Sequence, residues 1–346
     1  SGNISNFSGV VSKNTGDGGQ ATTSMMSNPW AVWVDNIGNI FICDSTNNRI
    51  RKVSPAGVIT NFAGSSAGTP GNGGDTGLAT DAFLEAPKGI WGDNVGNIYI
   101  SDSTNNRVRK IDPNGIITNF AGSSSGTSGN TGDTGAAVSA TLNAPGGLWG
   151  DNVGNIYIAD TGNHRIRKVS PAGTITNFAG NSGASQGNGG DGTLATSATT
   201  NLRFPSGVWG DNTGNIFIAD TFNHRIRKVS STNIISNFAG NSSAASGNSG
   251  DGSSATSAKL NLPGGVWGDN NGNIFIADTG NNRIRKVASS IITNFAGNSG
   301  GIDGNSGDTG PATNAFLFQP QGVFGDSSGN IYIADTNNNS IRIVFK

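Results

Sequence analysis

One long motif recurs six times along the chain. Its fullest form reads Gly-Val-Trp-Gly-Asp-Asn-x-Gly-Asn-Ile-Phe-Ile-Ala-Asp-Thr-x-Asn-His-Arg-Ile-Arg-Lys-Val, and successive copies start 57 to 60 residues apart. The first acidic residue of the six copies is Asp35, Asp93, Asp151, Asp211, Asp269 and Asp326. One such unit is too small to bury its own apolar face, so the units must pack against one another. We therefore expect one domain over residues 1–346.

The composition indicates a folded chain of low charge. Charged residues make up 12% of the sequence, about half the usual share of about 25%. The net charge of −1 makes nucleic acid an improbable partner, because nucleic-acid binding needs a concentrated positive surface. No apolar run approaches the roughly 18 residues of a membrane span. We expect a secreted or cell-surface location from the small share of charged residues.

Each unit is predicted to form four short antiparallel strands. In the third unit these are residues 147–151, 155–159, 165–169 and 174–178, separated by polar turns that contain Gly, Asn or Pro. Gly154 occupies the left-handed position of the first hairpin loop. Four strands repeated six times predict an all-β, six-bladed β-propeller. Its inner strands should start near residues 31, 89, 147, 207, 265 and 322.

The two ends of the sequence predict how the ring closes. The last unit stops after its third strand, whereas residues 4–7 match the fourth strand of the other units. We expect residues 4–7 to supply the outer strand of the last blade. This arrangement would remove an exposed sheet edge.

A linker of roughly 25 residues joins each fourth strand to the next inner strand and must cross one face from the rim to the axis. Each linker contains an aspartate at an equivalent position, before a short segment that contains Ala. The simplest interpretation is an N-cap of a helical turn. Calcium binding is the alternative, since oxygen-rich loops suit that ion, and we expect no other cofactor. The residues are Asp17, Asp75, Asp133, Asp191, Asp251 and Asp308.

Every inner strand carries an aromatic residue at the same position. The set is Trp33, Trp91, Trp149, Trp209, Trp267 and Phe324. The following position is glycine in five units and Val34 in the first. We expect each large ring to lie against the small residue of the next blade, so the smaller Phe324 would compensate for the larger Val34.

Two segments resemble the signature of NHL repeats: Asn163-His-Arg-Ile166 and Asn223-His-Arg-Ile226, each after Ile-Ala-Asp-Thr. The resemblance covers essentially the whole chain and implies a six-bladed propeller. NHL propellers include protein-interaction modules, RNA-binding modules, extracellular sensor domains and an amidating lyase, so the resemblance leaves the function open. The His set of that lyase has no counterpart here, and the last unit departs from the pattern at Ser340 and Ile343.

The remaining polar motifs favour structural roles. His164 and His224, the two histidines of the chain, are interpreted as turn residues with local hydrogen bonds. The second-strand aspartates precede arginines at the start of the third strand, as in Asp160 and Arg165, and predict cross-strand ion pairs. The Arg-x-Arg-Lys segments themselves are expected on a solvated or paired rim.

Function must then come from residues that break the repeat. Aromatic and charged exceptions on the loop face are the candidates, and we select Phe222, Arg203 and Trp30. The leading hypothesis is a non-enzymatic binding or scaffolding propeller for a protein, peptide or glycan. The alternatives are a symmetric lectin with equivalent sites between blades, and a metal-dependent lyase or hydrolase at the axial pocket.

Overall fold

The computed structural model describes residues 2–9 and 15–346, which form six four-stranded antiparallel sheets, one of them with a short fifth strand. The predicted six-bladed all-β propeller is confirmed. In chain order the strands are β1 (Ile4–Ser8), β2 (Pro29–Val34), β3 (Ile40–Asp44), β4 (Arg49–Val53), β5 (Ile59–Ala63), β6 (Pro87–Gly92), β7 (Ile98–Asp102), β8 (Arg107–Ile111), β9 (Ile117–Ala121), β10 (Leu148–Gly150), β11 (Ile156–Asp160), β12 (Arg165–Val169), β13 (Ile175–Ala179), β14 (Gly207–Gly210), β15 (Ile216–Asp220), β16 (Arg225–Val229), β17 (Ile235–Ala239), β18 (Ser253–Ser254), β19 (Val266–Gly268), β20 (Ile274–Asp278), β21 (Arg283–Ala288), β22 (Ile291–Ala296), β23 (Gly322–Gly325), β24 (Ile331–Asp335) and β25 (Ser340–Val344).

Blade 6 combines both ends of the chain. Its sheet has the order β1-β25-β24-β23, and β1 runs antiparallel to β25 with Ile4 opposite Val344. Ile4 is fully buried. The predicted closure by the N-terminal strand is therefore confirmed.

The apolar core lies between the blades. The second strand of each blade is buried along its whole length, as in Ile156–Asp160, because both faces of the sheet meet a neighbouring blade. One cluster, for example, joins Tyr157 and Ile166 of blade 3 to Val208, Ile216 and Val229 of blade 4. Each blade therefore depends on its neighbours for burial.

The linkers follow a longer path than a direct crossing of one face. Each linker first runs along the outer strand of the blade that it enters, where for example the N–H of Thr76 donates to the carbonyl of Ile117 at 2.8 Å. In blade 5 this contact includes β18, which pairs with β22. The outer edge of each sheet is thus covered before the chain turns inward to the axis.

Five linkers contain a short 3₁₀ helix: Ala21–Thr23, Ala79–Asp81, Ala137–Ser139, Ala255–Ser257 and Ala312–Asn314. The expected capping by the linker aspartates is wrong. The N-cap of the second helix, for example, is Leu78, without a side-chain hydrogen bond. Asp75 precedes it and binds arginine instead.

The inner strands bring aromatic rings and glycines of successive blades together. A Cβ atom added to Gly92 would overlap the ring of Trp33, which shows how closely the indole approaches the backbone. The same contact joins Trp91 to Gly150, Trp149 to Gly210, Trp209 to Gly268 and Trp267 to Gly325. At the sixth junction Phe324 packs in one apolar cluster with Val34.

Candidate functional site

The linkers meet the turns between second and third strands on one face, which we call the linker face. Blade 2 has a plain turn here, and the other five turns are short 3₁₀ helices: Ser45–Asn47, Thr161–Asn163, Thr221–Asn223, Thr279–Asn281 and Thr336–Asn338. In blade 4 the N–H of Phe222 donates to the linker carbonyl of Arg203 at 3.1 Å. These backbone hydrogen bonds hold the face to the sheets beneath it.

A hydrogen bond that we call the inter-blade clasp joins each turn to the next linker. The residue after the turn has a left-handed backbone, as in His164 with φ 55°, and its side chain accepts the backbone N–H of the residue before the linker proline. The acceptor and donor residues are Asn48 and Ala86, Asn106 and Ala144, His164 and Phe204, His224 and Leu262, Asn282 and Gln319, and Asn339 and Asn28, at 2.9 to 3.2 Å.

The two histidines are therefore structural, but their expected local hydrogen bonds are wrong. Nδ1 of His164 accepts from Phe204, 40 residues later and in the linker of the next blade. Burial, and secondly the charge of Arg203, lowers the pKa of both His164 and His224. A neutral imidazole is the form that can accept at Nδ1, so the pKa shift and the clasp agree.

Beneath the linker face each blade contains an Asp–Arg network. In blade 3 the carboxylate of Asp133 bridges Arg165 and Arg167 at 2.8 Å each, and Asp160 approaches the same guanidinium groups at 3.5 and 3.9 Å. Both arginines are fully buried. The expected cross-strand pairs are present. Of the two expected environments, a solvated or a paired rim, the arginines have the paired one and are buried.

The network gives the linker aspartates a clear structural role. In blades 1 to 5 each one binds two arginines, and in blade 6 Asp308 binds Arg342 alone because Ser340 replaces the other. A calcium ion at these positions would have to displace guanidinium groups. Burial raises the pKa of Asp160 to about 6. The hydrogen bonds from Asn163 and from the N–H of Asn143, and the charges of both arginines, act in the opposite direction and lower this pKa.

The structure brings two of the three selected binding residues together. The guanidinium of Arg203 lies 5.8 Å from the ring centroid of Phe222, and Phe222 lies 5.0 Å from Phe204. Phe204 in turn contacts His164 edge to face at 4.4 Å. We call Arg203, Phe204 and Phe222 the blade 4 cluster. Phe222 is 43% exposed.

Trp30 lies apart from that cluster, beside the axis. The ammonium of Lys88 sits 4.7 Å from its ring centroid, and burial lowers the pKa of Lys88. Both residues line a narrow axial channel of about 90 Å³. The equivalent positions include Gly146 and Gly264, so Trp30 and Lys88 narrow one side of the channel.

The sequence analysis did not select Phe204. Phe204 is half-buried between His164 and Phe222. The sequence does mark Phe204 as an exception to the repeat, because the equivalent residues are Ala or other non-aromatic side chains. Within residues 2–9 and 15–346 there is no group of three or more His, Cys, Asp or Glu side chains placed to hold a metal ion.

The family model of the teneurin NHL domain matches residues 68–131. Human teneurin-4 is 30% identical over 278 residues, which cover 72% of this chain and 10% of teneurin-4. The chain is an NHL-repeat β-propeller. It spans about a tenth of the length of that teneurin, and in the part of it that the structure describes no helix is long and apolar enough to cross a membrane.

Two further proteins are also similar to this chain. The chloroplastic protein SUPPRESSOR OF QUENCHING 1 of Arabidopsis thaliana is 28% identical over 341 residues, covering 93% of this NHL propeller and 30% of that protein. The crystal structure of virginiamycin B lyase from Staphylococcus aureus with Quinupristin has a TM-score of 0.54 and 15% identity, over 94% of this chain and 82% of the lyase. At that identity the likeness shows the fold alone.

Proposed function

We propose that this NHL propeller is a non-enzymatic binding module that recognises a protein ligand through its linker face, at the blade 4 cluster. The observation that carries the proposal is the exposed ring of Phe222, which lies next to both the guanidinium of Arg203 and the ring of Phe204. Aromatic residues and arginine are enriched in protein–protein interfaces. The similarity to the teneurin NHL domain supports a protein ligand.

The position of Phe222 in the repeat supports a role other than folding. The equivalent residues in the other turns are Thr46, Thr104, Gly162, Gly280 and Asn337. These turns have the same 3₁₀ geometry in blades 3 and 5, where glycine replaces the ring. An aromatic side chain is therefore unnecessary for the turn.

The cluster is also held in place before any ligand arrives. The N–H of Arg203 donates to the buried carboxylate of Asp220 at 2.8 Å, and the N–H of Phe204 donates to His164. A site whose backbone is already fixed loses less conformational entropy on binding. Fixed backbone beneath an exposed ring is therefore consistent with a recognition site.

The test uses substitutions that the repeat itself supplies. Phe222→Gly with Arg203→Asn copies the equivalent residues Gly162 and Asn143 of blade 3, so the variant should fold normally. The purified propeller would be screened against arrays of peptides, glycans and RNA, with and without calcium. We expect a saturable peptide hit that weakens at least about tenfold in the variant, as for loss of an interface hot spot.

The other outcomes separate the alternatives. A matched control, Ser236→Thr, copies Thr176 of blade 3 at an exposed position of the outer strand and should leave the peptide hit unchanged. Multivalent glycan binding that survives the double substitution would favour the symmetric lectin. Binding that needs calcium would favour the linker aspartates as metal ligands. Either result would contradict the proposed protein-binding site.

We also propose a secreted or cell-surface location, supported by the low share of charged residues. Fractionation of the native source, followed by detection of the propeller with an antibody, would test it. Recovery in an organelle fraction, in line with the name of the Arabidopsis relative, would overturn it.

A further inference from the structure

The face opposite the linkers contains a wide axial cavity. Its volume is about 1070 Å³, and it is open to solvent at the hairpins that join first and second strands. The aromatic ring of the inner strands, from Trp33 round to Phe324, lies at its inner end. This cavity is separate from the blade 4 cluster, and the function proposed above does not use it.

The indole rings line this cavity. Trp149 packs against Tyr157 of its own blade at 5.3 Å, and its benzo edge lies against Gly210 of the next blade. The ring is only half-buried, so part of it remains exposed in the lining of the cavity. The same contacts recur at Trp33, Trp91, Trp209 and Trp267. The face of an aromatic ring carries a partial negative charge that attracts cations.

Carboxylates dominate the charged groups of the cavity. Its lining contains six of them and the single ammonium of Lys52, whereas the whole chain has a net charge of only −1. The carboxylates are Asp35, Asp93, Asp112, Asp151, Asp211 and Asp269. A concave surface lined by one sign of charge concentrates ions of the opposite sign.

The hydrogen bonds of these carboxylates leave their charge in place. Asp151 accepts the backbone N–H groups of Val153 and Asn155 at 3.1 and 2.8 Å and the side-chain amide of Asn155 at 2.7 Å. These donors are uncharged, in contrast to the arginines that neutralise the aspartates beneath the linker face. Burial, and secondly the charge of Asp93, raises the pKa of the neighbouring Tyr99.

The mouth of the cavity is apolar on one side and polar on the other. The hairpin tips of blades 1 to 3 carry Ile37, Val95 and Val153, which are 72 to 76% exposed. The tips of blades 4 to 6 carry Thr213, Asn271 and Ser328 instead. These exposed β-branched residues, one on each of three turns, add nothing to the core, and they provide an apolar contact beside the acidic cavity.

We propose that the axial cavity binds a basic peptide segment. One Lys or Arg side chain enters along the axis toward the indole faces, and apolar side chains next to it lie on Ile37, Val95 and Val153. The excess of carboxylates selects a cation, and the apolar side of the mouth selects a peptide over a small inorganic ion. The cavity volume and open mouth are sufficient for a side chain with its backbone.

The test uses a fluorescent hexapeptide of alternating arginine and leucine, with a matched peptide of alternating glutamate and leucine. Binding to the intact propeller is measured by anisotropy and by the change in tryptophan emission. We expect only the arginine peptide to bind. Asn94→Lys with Asn152→Lys, at exposed positions in the lining, should weaken it about tenfold or more, because like charges at a binding surface repel.

Two controls separate this cavity from the linker face. Gln186→Lys adds the same charge at an exposed linker position and should leave binding unchanged, as should Phe222→Gly with Arg203→Asn. Val95→Thr with Val153→Thr copies the tip of blade 4 and should weaken binding by a smaller factor. The proposal is overturned if the arginine peptide fails to bind, if the rim lysines have no effect, or if the glutamate peptide binds equally well.

Discussion

Blades 3 and 6 have the same four-stranded sheet but differ in the charge buried inside it. Blade 3 pairs two carboxylates with two guanidinium groups, whereas blade 6 has Asp308 and Asp335 with Arg342 alone. The position of the missing arginine is held by Ser340, which is 2% exposed. Blade 6 still forms, so the complete network is not required for the blade geometry. We infer that the network stabilises the ring without specifying it.

Removing the linker carboxylate should cost more in blade 3 than in blade 6. Asp133→Ala leaves two buried arginines without their closest acceptor, so we expect the free energy of unfolding to fall by about 3–5 kcal/mol. Asp308→Ala affects one arginine and should cost roughly half as much. Urea denaturation of the two variants measures the difference, and equal losses would contradict the role assigned to the second arginine.

The circle of inner-strand aromatic residues offers a second comparison, between the junction of blades 6 and 1 and the other five junctions. Phe324→Trp places an indole against Val34, and we expect overpacking to lower the free energy of unfolding by about 1–3 kcal/mol. Val34→Gly in the same chain should remove most of that loss, because the two residues are in contact. Additive effects in a double-mutant cycle would show that the two departures from the repeat are independent.

Completing the network of blade 6 should raise stability. Ser340→Arg adds a guanidinium opposite Asp335, its partner in the strand pair, and balances the buried charge. We expect a gain of about 1 kcal/mol, below the usual value of a charged hydrogen bond because the side chain must be ordered. The reciprocal change Arg165→Ser in blade 3 is the control and should destabilise. A loss in both variants would mean that blade 6 has adapted to serine.

The smallest expected effect concerns the two histidine clasps compared with the four asparagine clasps. The pKa of His164 and His224 is lowered in the folded chain, so the unfolded chain binds more protons and acid favours unfolding. Their stabilising contribution is present above about pH 6.5 and is lost as the pH falls below it.

His164→Asn with His224→Asn keeps an acceptor for the clasp but removes this titration. Melting temperatures of the wild type and the variant, compared near pH 7.5 and near pH 5.5, should converge at the higher pH and separate at the lower, with the wild type less stable. A constant difference across this range would mean that Nδ1 stays unprotonated or that the clasp contributes nothing.

Periodic features were predictable from the sequence, and contacts between distant segments were not. The strands, the closing strand at Ile4–Ser8 and the approach of Trp33 to Gly92 follow from strand periodicity and the packing of neighbouring blades. The bond between Asp133 and Arg167 spans 34 residues, and local capping offered a simpler partner for that aspartate. Asp133 accepts from Arg167 because the linker runs along the outer strand, and no local sequence pattern encodes that path.

The candidate sites were predictable only in part for a related reason. Phe222 and Arg203 stood out because they break the repeat, and they do lie together. The acidic cavity was hidden because five of its six aspartates belong to a set that recurs in every unit. A residue that recurs in all six units is readily interpreted as structural. Its six copies around one axis, however, also form one continuous surface.

The pairing of Ile4 with Val344 has a consequence for the order of events in folding. These partners are nearly as far apart along the sequence as two residues of this chain can be, and such distant contacts form slowly. The entropy of closing a loop grows only logarithmically with its length, so this separation costs little in final stability. The N-terminal strand therefore affects the time at which the ring closes more than the final stability of the ring. Until this strand pairs with β25, the edge of β25 is free to pair with other chains.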